Sequence, residues 1–240
     1  MGGYFLIGKK GGMETMEFKL FKKLGSLEGM EFYLLLGAAA VFITLLIAAL
    51  AYRKKAAANV PAREKPRATR ALVYGAMSIT LAFVLSYFKL FSMPFGGSIT
   101  LFSMLPLFLY AAAFGPGYGF LAAFAYALLQ VVQGAYIVHP VQFVLDYFVA
   151  FTCLGLASFF PRSLPLGAAV GGLARMLVSL VSGAVFFRDS GLDYGIANAW
   201  VYSLVYNAST IGVDTLLCVI VAALPPIRRL AARVFGVKAA

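Results

Sequence analysis

A single histidine, His139, and two cysteines, Cys153 and Cys218, are nearly all that the sequence offers a soft metal. Multi-histidine metal chemistry and Cys/His zinc spacing are thereby excluded. Both cysteines sit inside apolar runs, where they read as small packing residues rather than as a disulfide or metal pair. Charge is scarce too. Charged residues make up 12% of the 240, against about 25% in soluble domains. Nucleophile elbow, kinase signature and phosphate loop are all missing. Gly8-Lys9-Lys10-Gly11-Gly12 lacks the Gly-Lys-Ser/Thr ending that such a loop requires, so the chain does not hydrolyse ATP by itself. No catalytic residue, metal or cofactor is expected, and the chain reads as a non-enzyme.

What the sequence has in abundance is apolar length. Hydrophobic residues make up 62% of the chain, and they come in runs. The stretches 32–52, 71–88 and 197–224 carry few or no charges. Each is long enough to cross ~30 Å of hydrocarbon at ~1.5 Å per residue. No period of two runs through them, which argues against a β-barrel. Helices then remain as the spanning structure, because the backbone must satisfy its own hydrogen bonds in lipid. The expected fold is an all-α integral membrane protein. A six-helix transmembrane bundle is preceded by one extra N-terminal transmembrane helix.

Residues 1–30 read as a glycine-containing charged tail, and 31–52 as the extra transmembrane helix. The segment 53–70 holds Arg53, Lys54, Lys55, Arg63, Lys65, Arg67 and Arg70 against Glu64, with Pro61 and Pro66 interrupting any helix. It is a basic linker. The domain 71–225 divides into spans at about 71–89, 99–114, 118–133, 141–160, 164–187 and 197–224, punctuated by Pro, Gly and polar clusters. The second is short and contains Pro106, as a broken or re-entrant segment would. A basic tail, 226–240, adds Arg228, Arg229, Arg233 and Lys238. Linker and tail flank an even number of spans, so the positive-inside rule places both in the cytoplasm of a multi-pass cell-membrane protein. The extra helix then puts 1–30 outside, which sits awkwardly with the lysines of that tail. The net charge of +11 fits orientation and contact with the lipid bilayer, and not nucleic acid.

Charges within spans usually face a bundle interior or cavity. Three do so here: Asp146, Arg175 and Asp214. Arg175 and Asp214 each lie ~15 Å deep by helical rise, which suits a salt bridge between the fifth and sixth spans or an ion site. Asp146 lies ~9 Å from the opposite face, six residues past Pro140. His139, Gln142, Tyr147 and Tyr136 surround it in sequence. A carboxylate among aromatics near an opening suits a cationic, ring-bearing ligand, through charge pairing and cation–π contact. A local helix-end hydrogen bond is the alternative. The sixth span carries a polar stripe, Ser203, Asn207, Thr210 and Asp214, flanked by Tyr202 and Tyr206. The fifth aligns Arg175, Ser179, Ser182 and Phe186. Such stripes point into a bundle.

Three segments carry a family resemblance. Residues 92–106 (SMPFGGSITLFSMLP), 134–147 (GAYIVHPVQFVLDY) and 202–207 (YSLVYN) resemble, in order, signatures of the thiamine-specific substrate-binding (S) components of energy-coupling-factor (ECF) transporters. The likeness spans about 70–225. It implies a six-helix membrane domain binding thiamine near the external face, associated with a transmembrane coupling subunit and ATPase subunits. Matched by position, the family's ligand-binding acid falls on Asp146, its adjacent tyrosine on Tyr147 and its loop tyrosine on Tyr136. Tyr202 and Asn207 match its polar groups on the last helix, and His139 lies within the second signature. There are departures. Some members have glutamate at Asp146, a stacking tryptophan is replaced by Phe187, and a ligand-contacting histidine by Ser179. The family's Ala-x-x-x-Ala docking pair becomes Ala76 and Thr80.

The expectation is a thiamine-binding S component driven by partner ATPases. Another vitamin or a thiamine precursor on the same scaffold is the first alternative. A membrane enzyme acting on lipid head groups, built on Asp146, Arg175 and Asp214, is the second.

Overall fold

The computed structural model describes residues 68–93, 96–187 and 189–235. The expectations for 1–30, for the helix 31–52 and for most of the linker lie outside the described residues. The chain opens with α1, Ala68–Tyr87. Its buried stripe is Ala71, Gly75, Ser78, Ala82 and Ser86, while Leu72, Val73, Met77, Leu81 and Val84 are exposed. Small residues inside and large apolar ones outside is the pattern of a helix packed in lipid, where close backbone approach drives association. Gly75 shows why: a Cβ there would lie 2.9 Å from Tyr110 Oη, the hydroxyl that donates to the Ala71 carbonyl at 2.8 Å.

The first departure from an all-α reading follows at once. Strands β1, Lys89–Ser92, and β2, Ser98–Thr100, pair antiparallel with Lys89 opposite Thr100 and Ser92 opposite Ser98. The chain then turns through Phe102, whose φ of 56° is unusual for a residue bearing a Cβ. The short α2, Leu105–Phe114, starts with Pro106 in its first turn. At ten residues it is ~15 Å long and does not cross ~30 Å alone. The second expected span, 99–114, is therefore the end of β2, a turn and the short helix α2. Gly115, at φ 81°, closes α2 by donating to the Ala111 carbonyl and accepts the first bond of α3 from Gly119. Pro116 begins α3, Pro116–Gly134.

Helix α4, Pro140–Phe159, is the innermost long helix, with 61% of its span buried against 22% for α1. It is irregular: an opening α-turn, a π-helical stretch at Val144–Val149, and a tight 3₁₀ ending at Cys153–Phe159. Helix α5, Leu164–Phe186, leads through a short 3₁₀ segment, Asp189–Tyr194, to α6, Ala199–Ala223. Asn198 caps α6, its Oδ1 accepting from Trp200 N at 2.9 Å and Val201 N at 3.3 Å. A second π-helical stretch interrupts α6 at Ala208–Gly212. The basic tail is helical as far as it is described: α7, Pro225–Phe235. Among the described residues, five helices are long and apolar enough to cross a membrane. The core lies where α2, α3 and α4 meet, around Met104, Phe108, Tyr126 and Leu154, none more than 1% exposed.

Candidate functional site

A cavity of about 200 Å³ opens between the β-hairpin, the ends of α1 and α3, and the inward faces of α4, α5 and α6. Both π-helical stretches stand beside it. Each adds a residue to a helical turn, so the side chains beyond it swing round by about 100°. In α4 the wide turn carries Asp146 and Tyr147 into the cavity wall; in α6 it carries Thr210 and Ile211, with Asn207 just before it and Asp214 just after.

Seven of the eight residues expected at a site line this one cavity: Asp146, Tyr147, Tyr136, Tyr202, Asn207, Phe187 and Ser179. His139 does not. Its Nδ1 accepts from Val141 N at 3.2 Å, capping α4, and its ring stacks on Phe186 at 4.9 Å.

Asp146 keeps one oxygen engaged, accepting from Gln142 Nε2 at 2.7 Å through Oδ2. The same carboxyl also faces the hydroxyl-bearing Ser179 and Ser182 of α5. Asn207 is fixed the other way. Its Nδ2 donates to the Ser179 and Ser203 carbonyls at 3.3 and 2.9 Å, so the amide nitrogen is spent and Oδ1 is the acceptor left for the cavity. Ser203 Oγ donates to the Leu180 carbonyl at 2.7 Å, which ties α6 to α5 at the same level. Aromatic rings form the walls. Tyr136 and Phe187 stack with centroids 6.1 Å apart, and Tyr202 leans on Tyr206 at 6.1 Å. Tyr147 Oη accepts from Tyr136 N at 2.8 Å, and Tyr206 Oη from Gly97 N at 2.9 Å. The hairpin tip needs glycine there: a Cβ on Gly97 would come within 2.3 Å of that hydroxyl.

Asp214 and Arg175 line the same cavity but do not form the direct ion pair that equal depth suggested. Arg175 Nη1 instead approaches Met104 Sδ at 3.0 Å, and its guanidinium lies 4.0 Å over the Phe151 ring. Asp214 Oδ2 accepts from Thr100 Oγ1 at 2.8 Å, drawing the hairpin onto α6. Asp214 Oδ1, Arg175 Nε and Gln133 Nε2 are buried with no hydrogen-bond partner among the described residues. Buried polar groups without partners are costly, and the three residues that carry them line the cavity.

Other lining residues had not been singled out as a site: Ser86, Gln130 and Gln133, which bond one another at 3.0 to 3.1 Å, and Thr100 and Ser103, whose hydroxyls lie 2.6 Å apart. Polar residues three apart on an otherwise apolar third span, Gln130 and Gln133, were the available signal. Among the described residues no group of three or more His, Cys, Asp or Glu could hold a metal, and the buried cysteines are free. The arrangement offers acid, amide and aromatic faces. It is suited to holding a small, flat, positively charged molecule.

Comparison with known proteins is consistent along the domain. The family model described as Thiamine transporter protein (Thia_YuaJ) matches residues 72–233. The thiamine transporter ThiT of Bacillus subtilis (strain 168) is 34% identical over 147 residues, covering 54% of this chain and 75% of that protein. In three dimensions, a structure of ThiT from Listeria monocytogenes superposes with a TM-score of 0.55 at 24% identity, over 69% of this chain and 96% of that one. The last likeness is one of fold.

Proposed function

The chain belongs to the thiamine transporter protein family, and from that premise we propose that its cavity binds thiamine as the substrate-binding component of an uptake transporter. One observation carries the reading. Asp146 presents a carboxylate to a cavity walled by Tyr136, Tyr147, Phe187 and Tyr202. Thiamine is a thiazolium cation joined to an aminopyrimidine. Asp146 pairs with the cation, while Phe187 and Tyr136 stack on a ring. Asn207 Oδ1 accepts from the pyrimidine amino group, and the Ser179 hydroxyl and Tyr202 complete the polar wall. His139 holds the opening of α4 in place from behind.

The ECF assignment rests on the resemblance of the three signature segments. A transmembrane coupling subunit and ATPase subunits supply the energy that the chain itself cannot. The linker and C-terminus lie in the cytoplasm of a multi-pass membrane protein. Six transmembrane segments then make up the domain, with the hairpin and α2 together serving as the second.

Isothermal titration of the purified protein in detergent tests the reading. Thiamine binds saturably, and tighter than a neutral aminopyrimidine fragment. A protein that binds the neutral fragment as well as thiamine, or neither, refutes it.

A further inference from the structure

Gln142 is 2% exposed and every strong hydrogen-bonding group of its amide is committed. Oε1 accepts from Val138 N at 3.1 Å. Nε2 donates to the Tyr136 carbonyl at 3.2 Å and to Asp146 Oδ2 at 2.7 Å. The orientation of the amide follows from its partners, since a backbone N–H can only donate and a backbone carbonyl only accept. The side chain therefore bridges two parts of the site. One is the loop 135–139, with Tyr136 on it. The other is the carboxylate of Asp146, one helical turn further along α4.

We infer that Gln142 is a positioning residue for the ligand site: it holds the Asp146 carboxylate through Oδ2 and locks the Tyr136 loop to it. The inference rests on the thiamine reading for its affinity readout, and on geometry alone for the loop. Two donor hydrogens are shared between a backbone carbonyl and a charged oxygen, so rotation of the carboxylate breaks the shorter, charge-assisted bond. Release of the loop breaks the other two. Tyr136 then keeps the bond from its N–H to Tyr147 Oη and its stacking on Phe187, without the tie to Asp146. The same side chain thus orders a charge and a ring on two sides of the ligand before it arrives, which lowers the ordering cost of binding.

The test uses the full chain in detergent with Gln142→Met, which keeps length and volume while removing all three bonds, and Gln142→Asn, which keeps an amide but is one methylene too short. Both are expected to weaken thiamine about ten- to a hundred-fold, and a neutral aminopyrimidine far less. In an Asp146→Asn background the same substitutions cost thiamine less than in the wild-type chain, because the share that acts through the charge is gone while the share through the Tyr136 loop remains. Additive losses in that background, or equal losses for charged and neutral ligands, overturn the inference. A second readout needs no ligand. Hydrogen exchange of the Val138 amide accelerates about ten-fold or more in either variant, since its acceptor is gone. Unchanged protection there overturns the inference even if wild-type protein fails to bind thiamine, a result that would count against the thiamine reading by itself. Should Gln142→Met not fold, Gln142→Asn decides alone.

Discussion

Asp146→Asn is the substitution that reads charge apart from shape. The replacement keeps the side-chain outline, and an amide oxygen can still accept from Gln142 at the 2.7 Å contact now made by Oδ2. What disappears is the negative charge facing the cavity. Arg175 lines the same space with its guanidinium over Phe151 rather than on a carboxylate. Removing Asp146 therefore leaves a bound cation in company with another cation. Asp214 remains, but its Oδ2 is committed to Thr100. Loss of one side of a desolvated charge pair typically costs ~2–5 kcal/mol, or roughly thirty-fold to several-thousand-fold in affinity. Titration calorimetry with thiamine and with a neutral aminopyrimidine fragment measures both effects in one protein. Thiamine falls by that range, whereas the fragment changes by less than about three-fold, or under ~1 kcal/mol. Equal losses for the two ligands would mean that Asp146 shapes the pocket without reading charge. Unchanged thiamine affinity would remove it from the site.

Three further outcomes are expected. Thr100→Val removes the hydroxyl that donates to buried Asp214 at 2.8 Å, so the thermal midpoint in detergent falls by the equivalent of ~1–3 kcal/mol; an unchanged midpoint refutes the hairpin-to-α6 tie. Gly183→Ala places a Cβ 2.3 Å from Ser203 Oγ and costs about 1–3 kcal/mol of stability by overpacking. Ser203→Ala in the same chain recovers part of that cost, and a purely additive double variant would place the strain elsewhere. Single cysteines in 53–70 and 236–240 resist impermeant thiol reagents applied to intact cells, and strong labelling of either segment reverses the proposed orientation.

Much of this was legible from composition and spacing. The long apolar runs marked the helices α1, α3, α4, α5 and α6, and Pro106 marked the second span as broken. The hairpin was not legible. Lys89–Ser92 and Ser98–Thr100 are four and three residues long, too short for a period of two to emerge from a hydrophobic background. The turn chemistry was present, in Pro94, Gly96 and Gly97, and it marked a break without saying that the flanks pair. At the site, Asp146 was visible because a carboxylate in a span is expensive and calls for a reason. The stripe of Ser203, Asn207, Thr210 and Asp214 was visible because polar residues there recur at helical spacing. Ser86, Gln130 and Gln133 carry no charge and stand near helix ends, where polar residues are ordinary.

The misplaced ion pair shows what such arithmetic leaves out. Helical rise gives the height of a side chain in a membrane helix, and by height Arg175 and Asp214 are neighbours. Whether two side chains meet also depends on the direction in which each leaves its helix. Direction accumulates at about 100° per residue, so a single added residue redirects everything beyond it. The wide turn at Ala208–Gly212 stands immediately before Asp214, and the carboxylate is aimed at Thr100 on the hairpin. Arg175 finds a thioether and an aromatic face in its place. The same irregularity in α4 surrounds Asp146. Regular spacing thus found residues that line one cavity but could not tell which of them touch, because the helices depart from regularity where the cavity is built. Asp214 and Asp146, at different heights by helical rise, become walls of one space.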